Sequence, residues 1–442
     1  MVREVVLFME MHQPRRLNRL LHYQPPGSLE YMFDDELDRL ILTRVAENSY
    51  IKVLEILKRA YLDYGFRFTV SFTGILFEQL RYWAPQVLEA LIDLVKLGAV
   101  EPTAETYYHS LAYLIDEGEF VEQVVMHAEL VSRLTGVKPV VAQNTEFMYS
   151  DRVGEVLGRL GFKVVLTEGV ERVLGYRKPT YVYRGPGGIR LLLRHYRLSD
   201  DVGFRFTDRG WDKYPLTADK YVDWLSLADG DVAMIGLDME TFGEHMPPSS
   251  GIFEFLTWMF RHAHERGIRF VAATEASEHG WVQPELNVNE MISWADAEKD
   301  TSAWVGNEMQ WTALNQLMLL YRLVKMLGDE YALRYVRLLM VSDHFYYMST
   351  KHGAAQQVHS YFNPYYSPYR AYTLYQNALS RLYAYLYRVH GVDLIRALRE
   401  VELPPELKGW VKGDSIMRGD CGSVNYTSRL LTINAPMLSC QH

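Results

Sequence analysis

Carboxyl side chains stand where two apolar runs of this sequence end. The run DVAMIGLDME closes on Asp238 and Glu240, and the run PVVAQNTE closes on Glu146. When two carboxyl groups lie close together, one of them can stay protonated while its neighbour is ionised, because like charges raise each other's pKa. Such a pair can serve as proton donor and nucleophile, and these positions therefore predict acid–base chemistry.

Polar residues follow most of the other apolar runs as well. In chain order they are His12, Glu101, Glu105, Asn144, Glu168, Thr274 and Glu275. Several carboxylates at one rim of a barrel cost free energy unless they pair with cations, share protons or take part in the function of the site. Taken alone, Asp238 also fits an N-cap, and His12 fits a hydrogen-bonded core residue. Capping does not predict acids at the ends of several different strands, so a joint site is the favoured interpretation.

A metal site is the alternative use of these residues. His12, Asp238 and His245, together with His109 or His195, could supply a set of histidine and carboxylate ligands. The sequence has no HExxH or similarly compact ligand spacing, and the two histidines of RHAHE do not share a helix face. We therefore expect no metal and no other cofactor.

Seven apolar runs alternate with helical patterns along roughly the first two thirds of the chain. They cover residues 4–10, 66–72, 98–104, 139–146, 162–168, 231–240 and 268–274. Most are nearly continuous in apolar residues, which is typical of parallel strands covered on both faces. Residues 179–206 break the rhythm and predict a β-hairpin around Gly185–Gly188, then a long loop. The alternation predicts an α/β fold with a TIM-like barrel, whose functional side chains collect at the carboxyl ends of the strands.

The sequence changes character towards its C-terminus. Helical patterns dominate residues 306–350 and 368–391, with few strand signals. We therefore expect a catalytic barrel over residues 1–290 and a helical domain over 291–412. Residues 413–442 fit neither module.

Composition and charge exclude several classes of partner. The formal net charge is −9, which argues against nucleic-acid binding because such proteins carry basic surfaces. No run approaches membrane-spanning length, and the apolar stretch at the N-terminus is short and interrupted by acids, unlike a signal peptide. The only two cysteines, Cys421 and Cys440, give the core no disulfide framework. A cytoplasmic protein without nucleic-acid or membrane partners is expected, and its oligomeric state is not predicted.

Tryptophans stand among acids and amides in SWADAEKDTSAWVGNEMQW (293–311). Trp294, Trp304 and Trp311 therefore have hydrogen-bonding neighbours. An indole with polar neighbours suits a sugar ring, which has an apolar face and a polar edge. Packing between domains is the alternative for one or more of them.

Five short regions, in order, resemble those of glycoside hydrolase family 57, and within it the α-amylase branch. They are HQP (12–14), GAVEPTAETYYHSLA (98–112), AQNTEFMYSD (142–151), GLDMETFGEH (236–245) and SWADAEKDTSAWVGN (293–307). The resemblance implies a (β/α)7 barrel followed by a helical domain that completes the active-site cleft. It also implies retaining hydrolysis of α-glucans, a reaction that needs no metal.

The resemblance assigns roles to individual residues. By motif, Glu146 is the expected nucleophile and Asp238 the expected general acid/base. The matched positions expected to contact the substrate are His12, Glu101, Glu240, Trp294 and Trp304.

Several activities stay open from the sequence alone. The expected one is an α-amylase that cleaves internal α-1,4 bonds of starch, glycogen or maltodextrins. A 4-α-glucanotransferase would form the same glycosyl-enzyme and pass the glucan to a sugar hydroxyl, and the sequence barely separates the two. A metal-dependent polysaccharide deacetylase and a non-catalytic glucan-binding protein are more distant alternatives. The presence of both Glu146 and Asp238 argues against the latter.

Overall fold

The structure is a computed structural model that describes residues 1–21 and 28–401. Its β-strands are β1 (Glu4–Met11), β2 (Phe68–Phe72), β3 (Val100–Ala104), β4 (Val141–Ala142), β5 (Val164–Glu168), β6 (Val182–Arg184), β7 (Arg190–Arg194), β8 (Val232–Asp238), β9 (Arg269–Phe270) and β10 (Val282–Glu285). Its α-helices are α1 (Asp35–Val45), α2 (Ile51–Tyr64), α3 (Gly74–Trp83), α4 (Pro85–Leu97), α5 (Ala112–Ile115), α6 (Glu117–Thr135), α7 (Asp151–Arg159), α8 (Glu171–Leu174), α9 (Tyr196–Gly203), α10 (Ala218–Leu227), α11 (Ile252–Glu265), α12 (Ala273–His279), α13 (Ser302–Val305), α14 (Glu308–Leu327), α15 (Glu330–Leu339), α16 (Ser342–Tyr346), α17 (Ala354–Phe362), α18 (Pro368–His390) and α19 (Val392–Glu400). Among these described helices, none offers a stretch long and apolar enough to cross a membrane.

Seven parallel strands close into a barrel. The ring runs through β1, β2, β3, β4, β5, β7 and β8, and β8 returns to β1. In that last pair, Glu10 on β1 lies opposite Asp238 on β8. Three short strands are additions, because β6 pairs antiparallel with β7, β10 pairs with β6, and β9 pairs with β1. The predicted α/β fold with a (β/α)7 TIM-like barrel and a helical C-terminal region is confirmed.

Side chains along the barrel strands alternate between two hydrophobic cores, as the two-residue period of a strand requires. On β1, Val6 and Phe8 belong to the core inside the barrel, whereas Val5 and Leu7 belong to the core between the barrel and its helices. The inner register continues to Glu10 at the carboxyl end of the strand. The barrel interior is therefore apolar below and polar at its upper rim, which we call the mouth.

The sequence predicts residues 268–274 as the seventh barrel strand. In the structure, β7 is the sixth strand of the ring and β8 is the seventh, so residues 268–274 do not form a barrel strand. That run supplies only the two residues of β9, and α12 follows it, so Thr274 and Glu275 lie on a helix. β7 comes from the stretch predicted as a hairpin. The hairpin itself is confirmed by the antiparallel pairing of β6 and β7, and part of the predicted loop after it is helix α9. Periodicity identifies a strand but does not name the strands it pairs with, which is why β7 was not predicted as a ring strand.

The chain divides into two compact units that interleave along the sequence. The barrel unit comprises Met1–Pro14, Asp38–His109 and Gly118–Thr301, and the helical unit comprises the described residues of Arg15–Leu37, Ser110–Glu117 and the stretch from Ser302 to Val401. The predicted division, by contrast, was a single boundary after residue 290. The predicted tail 413–442, with Cys421 and Cys440, lies outside the described residues.

The helical unit is organised around its long helices. Helix α14 begins with a capping box in which the side chain of Asn307 accepts from the Gln310 backbone and the Gln310 side chain accepts from the Asn307 backbone. From α18, the Tyr375 hydroxyl donates to the Leu339 carbonyl at the end of α15 at 2.7 Å. These contacts satisfy polar groups that are buried inside the unit.

Candidate active site

Polar side chains line the barrel mouth on the inward register of its strands. They are Glu10, Ser71, Glu105, Gln143, Glu168, Arg194 and Asp238. All of these except Asp238 are at most 4% exposed. Their charges and hydrogen-bonding groups must therefore be satisfied by one another rather than by bulk water.

Glu146 stands beyond β4 in an uncommon backbone conformation. It lies in a 3-10 turn, with φ of 61° at Glu146 and 52° at Phe147. Non-glycine residues in this left-handed region cost on the order of 1–3 kcal/mol each and persist only where the surroundings enforce them. Trp294 supplies one restraint, because its Nε1 donates to Glu146 Oε2 at 2.6 Å and its backbone N–H donates to the Glu146 carbonyl at 3.2 Å. The Glu146 side chain is 16% exposed, so it is fixed and still reachable.

Trp294 is itself held from several sides. Its ring meets that of Phe147 edge-on at 5.0 Å, and the Arg194 guanidinium lies 5.7 Å from the ring centroid. Arg194 is fixed in turn by Glu168, whose Oε2 lies 2.9 Å from Arg194 Nη1. Lys299 Nζ donates to the Trp294 carbonyl at 2.7 Å. The indole that orients Glu146 is therefore rigidly mounted.

Asp238 and Glu240 occupy the opposite side of the mouth. Asp238 ends β8, and its side chain makes no capping hydrogen bond to the 3-10 turn that follows, so the N-cap interpretation is not supported. Glu240 Oε1 accepts hydrogen bonds from the Tyr50 hydroxyl, from Gln13 Nε2 at 3.2 Å and from the His12 backbone N–H at 3.4 Å. Burial, followed by the charge of Asp238, raises the pKa of Glu240 to about 8. Glu240 therefore mostly holds a proton at neutral pH.

His109 connects the two sides. Its Nδ1 lies 2.8 Å from Glu105 Oε2 and 3.1 Å from Glu10 Oε1, and its Nε2 lies 3.5 Å from Glu146 Oε1. The ring of His12 stacks on it with a centroid distance of 4.1 Å. A set of contacts therefore runs from Glu146 through His109 to Glu10, which lies opposite Asp238 on the neighbouring strand.

Sequence reasoning missed part of this set. It named Glu105 only as a strand end, named His109 only as a possible metal ligand, and did not name Glu10. The signal for Glu10 was present, because it precedes His12 by two residues and strand side chains two apart share a face. No comparable signal existed for His109, whose position depends on a turn with φ of 50° at that residue.

The family model of glycosyl hydrolase family 57 matches residues 6–294, a span that runs from β1 to Trp294 and includes the whole mouth. This chain belongs to glycosyl hydrolase family 57. A relative from Methanocaldococcus jannaschii, named "Putative alpha-amylase", is 40% identical over 386 residues, which are 84% of this chain and 82% of that protein.

Solved structures share the fold of this family 57 chain at low sequence identity. The 4-alpha-glucanotransferase from Thermococcus litoralis superposes with a TM-score of 0.63 at 15% identity, covering 91% of this chain and 60% of that one. The GH57-type branching enzyme from Pyrococcus horikoshii superposes with a TM-score of 0.60 at 15% identity, covering 91% of this chain and 97% of that one. This chain thus spans less than two thirds of the glucanotransferase, and at such identities the likeness shows the fold alone.

Glu101 requires a correction to the predicted site of this family 57 chain. It is the second residue of β3 and precedes Glu105 by four residues, or roughly 13 Å along a strand. Glu101 Oε2 accepts from the Thr274 backbone N–H at 3.0 Å, and Oε1 accepts from the Thr274 hydroxyl. Both bonds tie β3 to the start of α12, at the amino-terminal end of the barrel. Glu101 is therefore not brought to the mouth, and Glu105 occupies the corresponding position there.

Trp304 requires a second correction. It lies on α13 in the helical unit and is 0% exposed, with its ring 6.2 Å from that of Tyr346. A fully buried indole presents no face to a sugar. Of the predicted substrate contacts, the structure brings His12, Glu240 and Trp294 to the mouth and leaves Glu101 and Trp304 elsewhere.

Two groups of donors among the described residues have the spacing of metal ligands: Glu10, Glu105 and His109, and Glu4, Glu275 and His279. In the first group, His109 Nδ1 lies within hydrogen-bonding distance of the carboxyl groups of Glu10 and Glu105. A hydrogen bond from Nδ1–H therefore uses the position that a metal ion would occupy between these three side chains. In the second group, Arg269 bonds to Glu4 and supplies the cation. The predicted combination of His12, Asp238 and His245 does not form such a group within the part of the chain that the structure describes.

Proposed function

We propose that this chain is a retaining α-amylase that cleaves internal α-1,4-glucosidic bonds of starch, glycogen or maltodextrins. The observation that carries the proposal is that Glu146, after β4, and Asp238, at the end of β8, lie at one mouth, where His109 contacts Glu146 and Glu10 and Glu10 lies opposite Asp238. A pair of carboxyl groups flanking the scissile bond is what glycoside hydrolysis requires. Membership of family 57 and the name of the relative that is 40% identical support the same activity.

The surroundings favour one assignment of roles over its reverse. Glu146 faces the indole N–H of Trp294 and the ring of His109, and groups that fix a carboxylate in place can orient it for attack. Asp238 lies beside two further carboxyl groups, Glu10 and Glu240, and closely spaced carboxyl groups can share protons, which suits a proton donor. Glu146 therefore suits the nucleophile and Asp238 the acid.

In the first half of the reaction, a Glu146 oxygen attacks the anomeric carbon of the glucan. The bond from that carbon to the glycosidic oxygen breaks, and Asp238 donates its proton to the departing oxygen. The product is a glycosyl-enzyme ester on Glu146, with Asp238 left as a carboxylate.

In the second half, Asp238 acts as a base. It removes a proton from water while the water oxygen attacks the anomeric carbon, and the bond to Glu146 breaks to return a carboxylate. Asp238 is then protonated again and the cycle closes. Two inversions at one carbon give net retention, and His12 and Glu240 lie where they can contact the sugar being cleaved.

The configuration of an azide product distinguishes the two carboxyl roles. With α-maltosyl fluoride, Glu146→Ala should lose roughly 10³-fold or more in kcat, and azide should restore turnover by forming the β-maltosyl azide. Asp238→Ala should instead give the α-maltosyl azide, because its glycosyl-enzyme still forms. If Glu146→Ala keeps wild-type hydrolysis, the nucleophile assignment is wrong.

Product analysis then separates hydrolysis from transfer. Incubation with maltotriose should give shorter sugars and rising reducing ends without elongation, because water resolves the glycosyl-enzyme of an amylase. Glucose together with maltopentaose and longer chains would identify a 4-α-glucanotransferase instead. Both outcomes keep Glu146 and Asp238 in their proposed roles and change only the acceptor.

A further inference from the structure

His109 lies at the centre of the mouth and is 3% exposed. Both of its ring nitrogens face carboxylate oxygens, Nδ1 those of Glu105 and Glu10 and Nε2 that of Glu146. A neutral imidazole has a single N–H and would turn a lone pair towards one carboxylate, whereas an imidazolium donates from both nitrogens. The arrangement therefore requires a charged ring.

The charges around the ring act in the same sense. Burial alone would lower the pKa of His109, but Glu10 and Glu105 outweigh it and raise that pKa well above its usual range. Burial would likewise raise the pKa of Glu105, yet His109 lowers it below its ordinary value. For Glu10, burial prevails and raises the pKa well above its ordinary value. These charges therefore favour a protonated His109 ring, which lies between two buried carboxyl groups whose pKa values shift in opposite directions.

We infer that His109 is a positioning residue for Glu146. Clamped by Glu105 and Glu10, the imidazolium holds Glu146 Oε1 in a fixed orientation, while Trp294 holds Oε2. The inference rests on the proposed role of Glu146 as the nucleophile and deepens it.

The cation matters most when negative charge returns to Glu146. In the glycosyl-enzyme Glu146 is a neutral ester, and in the second half of the reaction the ester bond breaks and a carboxylate leaves. A positive charge preorganised beside that oxygen stabilises the transition state of this step.

The titratable groups around this set come from several elements. They are Glu10 and His12 at the end of β1, Glu105 after β3, His127 on α6, Glu146 after β4 and Asp238 on β8. His127 differs from His109 because its Nδ1 accepts from the Glu105 backbone N–H at 3.1 Å and its Nε2 donates to the Phe72 carbonyl at 2.7 Å. That pattern fits the neutral ring, and burial lowers the pKa of His127. His127 is therefore a matched control, a buried histidine one contact further away.

The kinetic test compares His109→Gln with His127→Gln in the full chain, using α-maltosyl fluoride across pH. For His109→Gln, we expect the acidic limb of the kcat/KM profile to move to higher pH, because the cation beside the nucleophile is lost. We also expect kcat and KM to fall together, since slow breakdown makes the glycosyl-enzyme accumulate. For His127→Gln, the limb should stay in place even if overall activity falls. A His109→Gln profile that is lowered uniformly at every pH would overturn the inference.

A spectroscopic test covers the case in which His109→Gln does not fold and does not depend on glucan activity. In the wild-type chain, the downfield proton resonance of His109 Nδ1–H should persist well above the pH at which an ordinary histidine titrates, about 6.5, and in Glu105→Gln it should titrate at lower pH. A His109 that titrates near the ordinary value of about 6.5 would overturn the inference. So would an activity lost with EDTA and restored by Zn²⁺, which would assign the trio to a cation. If the wild type shows the resonance but cleaves no glucan, the proposed function is wrong, whereas the inference that the His109 ring is charged still holds.

Discussion

The two ends of the barrel interior carry the same residue types and arrange them differently. At the mouth, Glu105 is fully buried against His109, which also reaches the proposed nucleophile Glu146. At the amino-terminal end, Glu101 on the same face of the same strand receives two hydrogen bonds from Thr274. The difference teaches that the position of an acid along the strand decides whether it joins the polar groups of the mouth or only anchors the fold. Its residue type and the strand it belongs to do not decide this.

Backbone conformation separates the two ends as well. His109, Glu146 and Phe147 all have positive φ values, and conformations of this kind are retained where function or tight packing enforces them. The amino-terminal end shows ordinary pairing instead, with Glu4 bonded to Arg269 and within 3.1 Å of His279 Nδ1. Of the two ends, the mouth thus carries the strained backbone.

Replacement of the proposed acid should give the largest effect. Asp238→Asn removes the proton donor without changing shape, so kcat on maltodextrins should fall by roughly 10²–10⁴-fold. On α-maltosyl fluoride or an aryl maltoside, formation of the glycosyl-enzyme should be much less affected, because a good leaving group needs little protonation. Single-turnover measurements on both substrate types check this, and an equal loss of the bond-breaking rate on both would remove Asp238 from the acid role.

Loss of the indole donor should come next. Trp294→Phe keeps an aromatic ring against Phe147 but removes the hydrogen bond to Glu146 Oε2, and such charge-assisted bonds contribute about 1.5–3 kcal/mol. We expect kcat to fall by roughly 10–100-fold.

Trp304→Phe is the matched control for that change. The Trp304 Nε1 has no hydrogen-bond partner among the described residues, and its ring is buried in the helical unit. Its replacement should lower the melting temperature through lost packing and leave kcat near the wild-type value. If the two tryptophan variants lost kcat equally, the hydrogen bond to Glu146 would not explain the first.

Glu240→Gln should change the pH dependence of stability more than it changes activity. The folded state keeps the Glu240 proton up to a pKa of about 8, whereas the unfolded chain releases it near the ordinary value of 4.5. Wild-type stability should therefore fall by roughly a few kcal/mol as pH rises from about 5 to 8. The neutral amide keeps an acceptor for Tyr50 and Gln13 and has no proton to lose. Denaturant unfolding across this pH window should show a flatter curve for the variant, and parallel curves would contradict the raised pKa.

Much of the fold follows from sequence because buried parallel strands have a clear pattern. The apolar runs that became β1, β5 and β8 were predicted to within a few residues, and the acids after β4 and β8 were found by reading off strand ends. β7 was not predicted as a ring strand, because its five residues also fit the second strand of a hairpin. The heights of side chains within the barrel could not be predicted either, since register between neighbouring strands depends on pairing that no single run encodes.

Glu101 shows that limit most clearly and gives the smallest expected effect on activity. Its motif suggested a substrate contact, and its height makes it an anchor for α12. Glu101→Gln keeps an acceptor for Thr274 but loses the charge that strengthens the bond, so stability should drop by about 1 kcal/mol. Because the site lies roughly 13 Å along the strand from the mouth, kcat/KM should stay within about twofold of the wild type. Glu105→Gln, on the same face of the chain four residues later, should move the acidic limb of the pH profile. If Glu101→Gln lost activity as Glu105→Gln does, the functional division between the two ends of the barrel would be wrong.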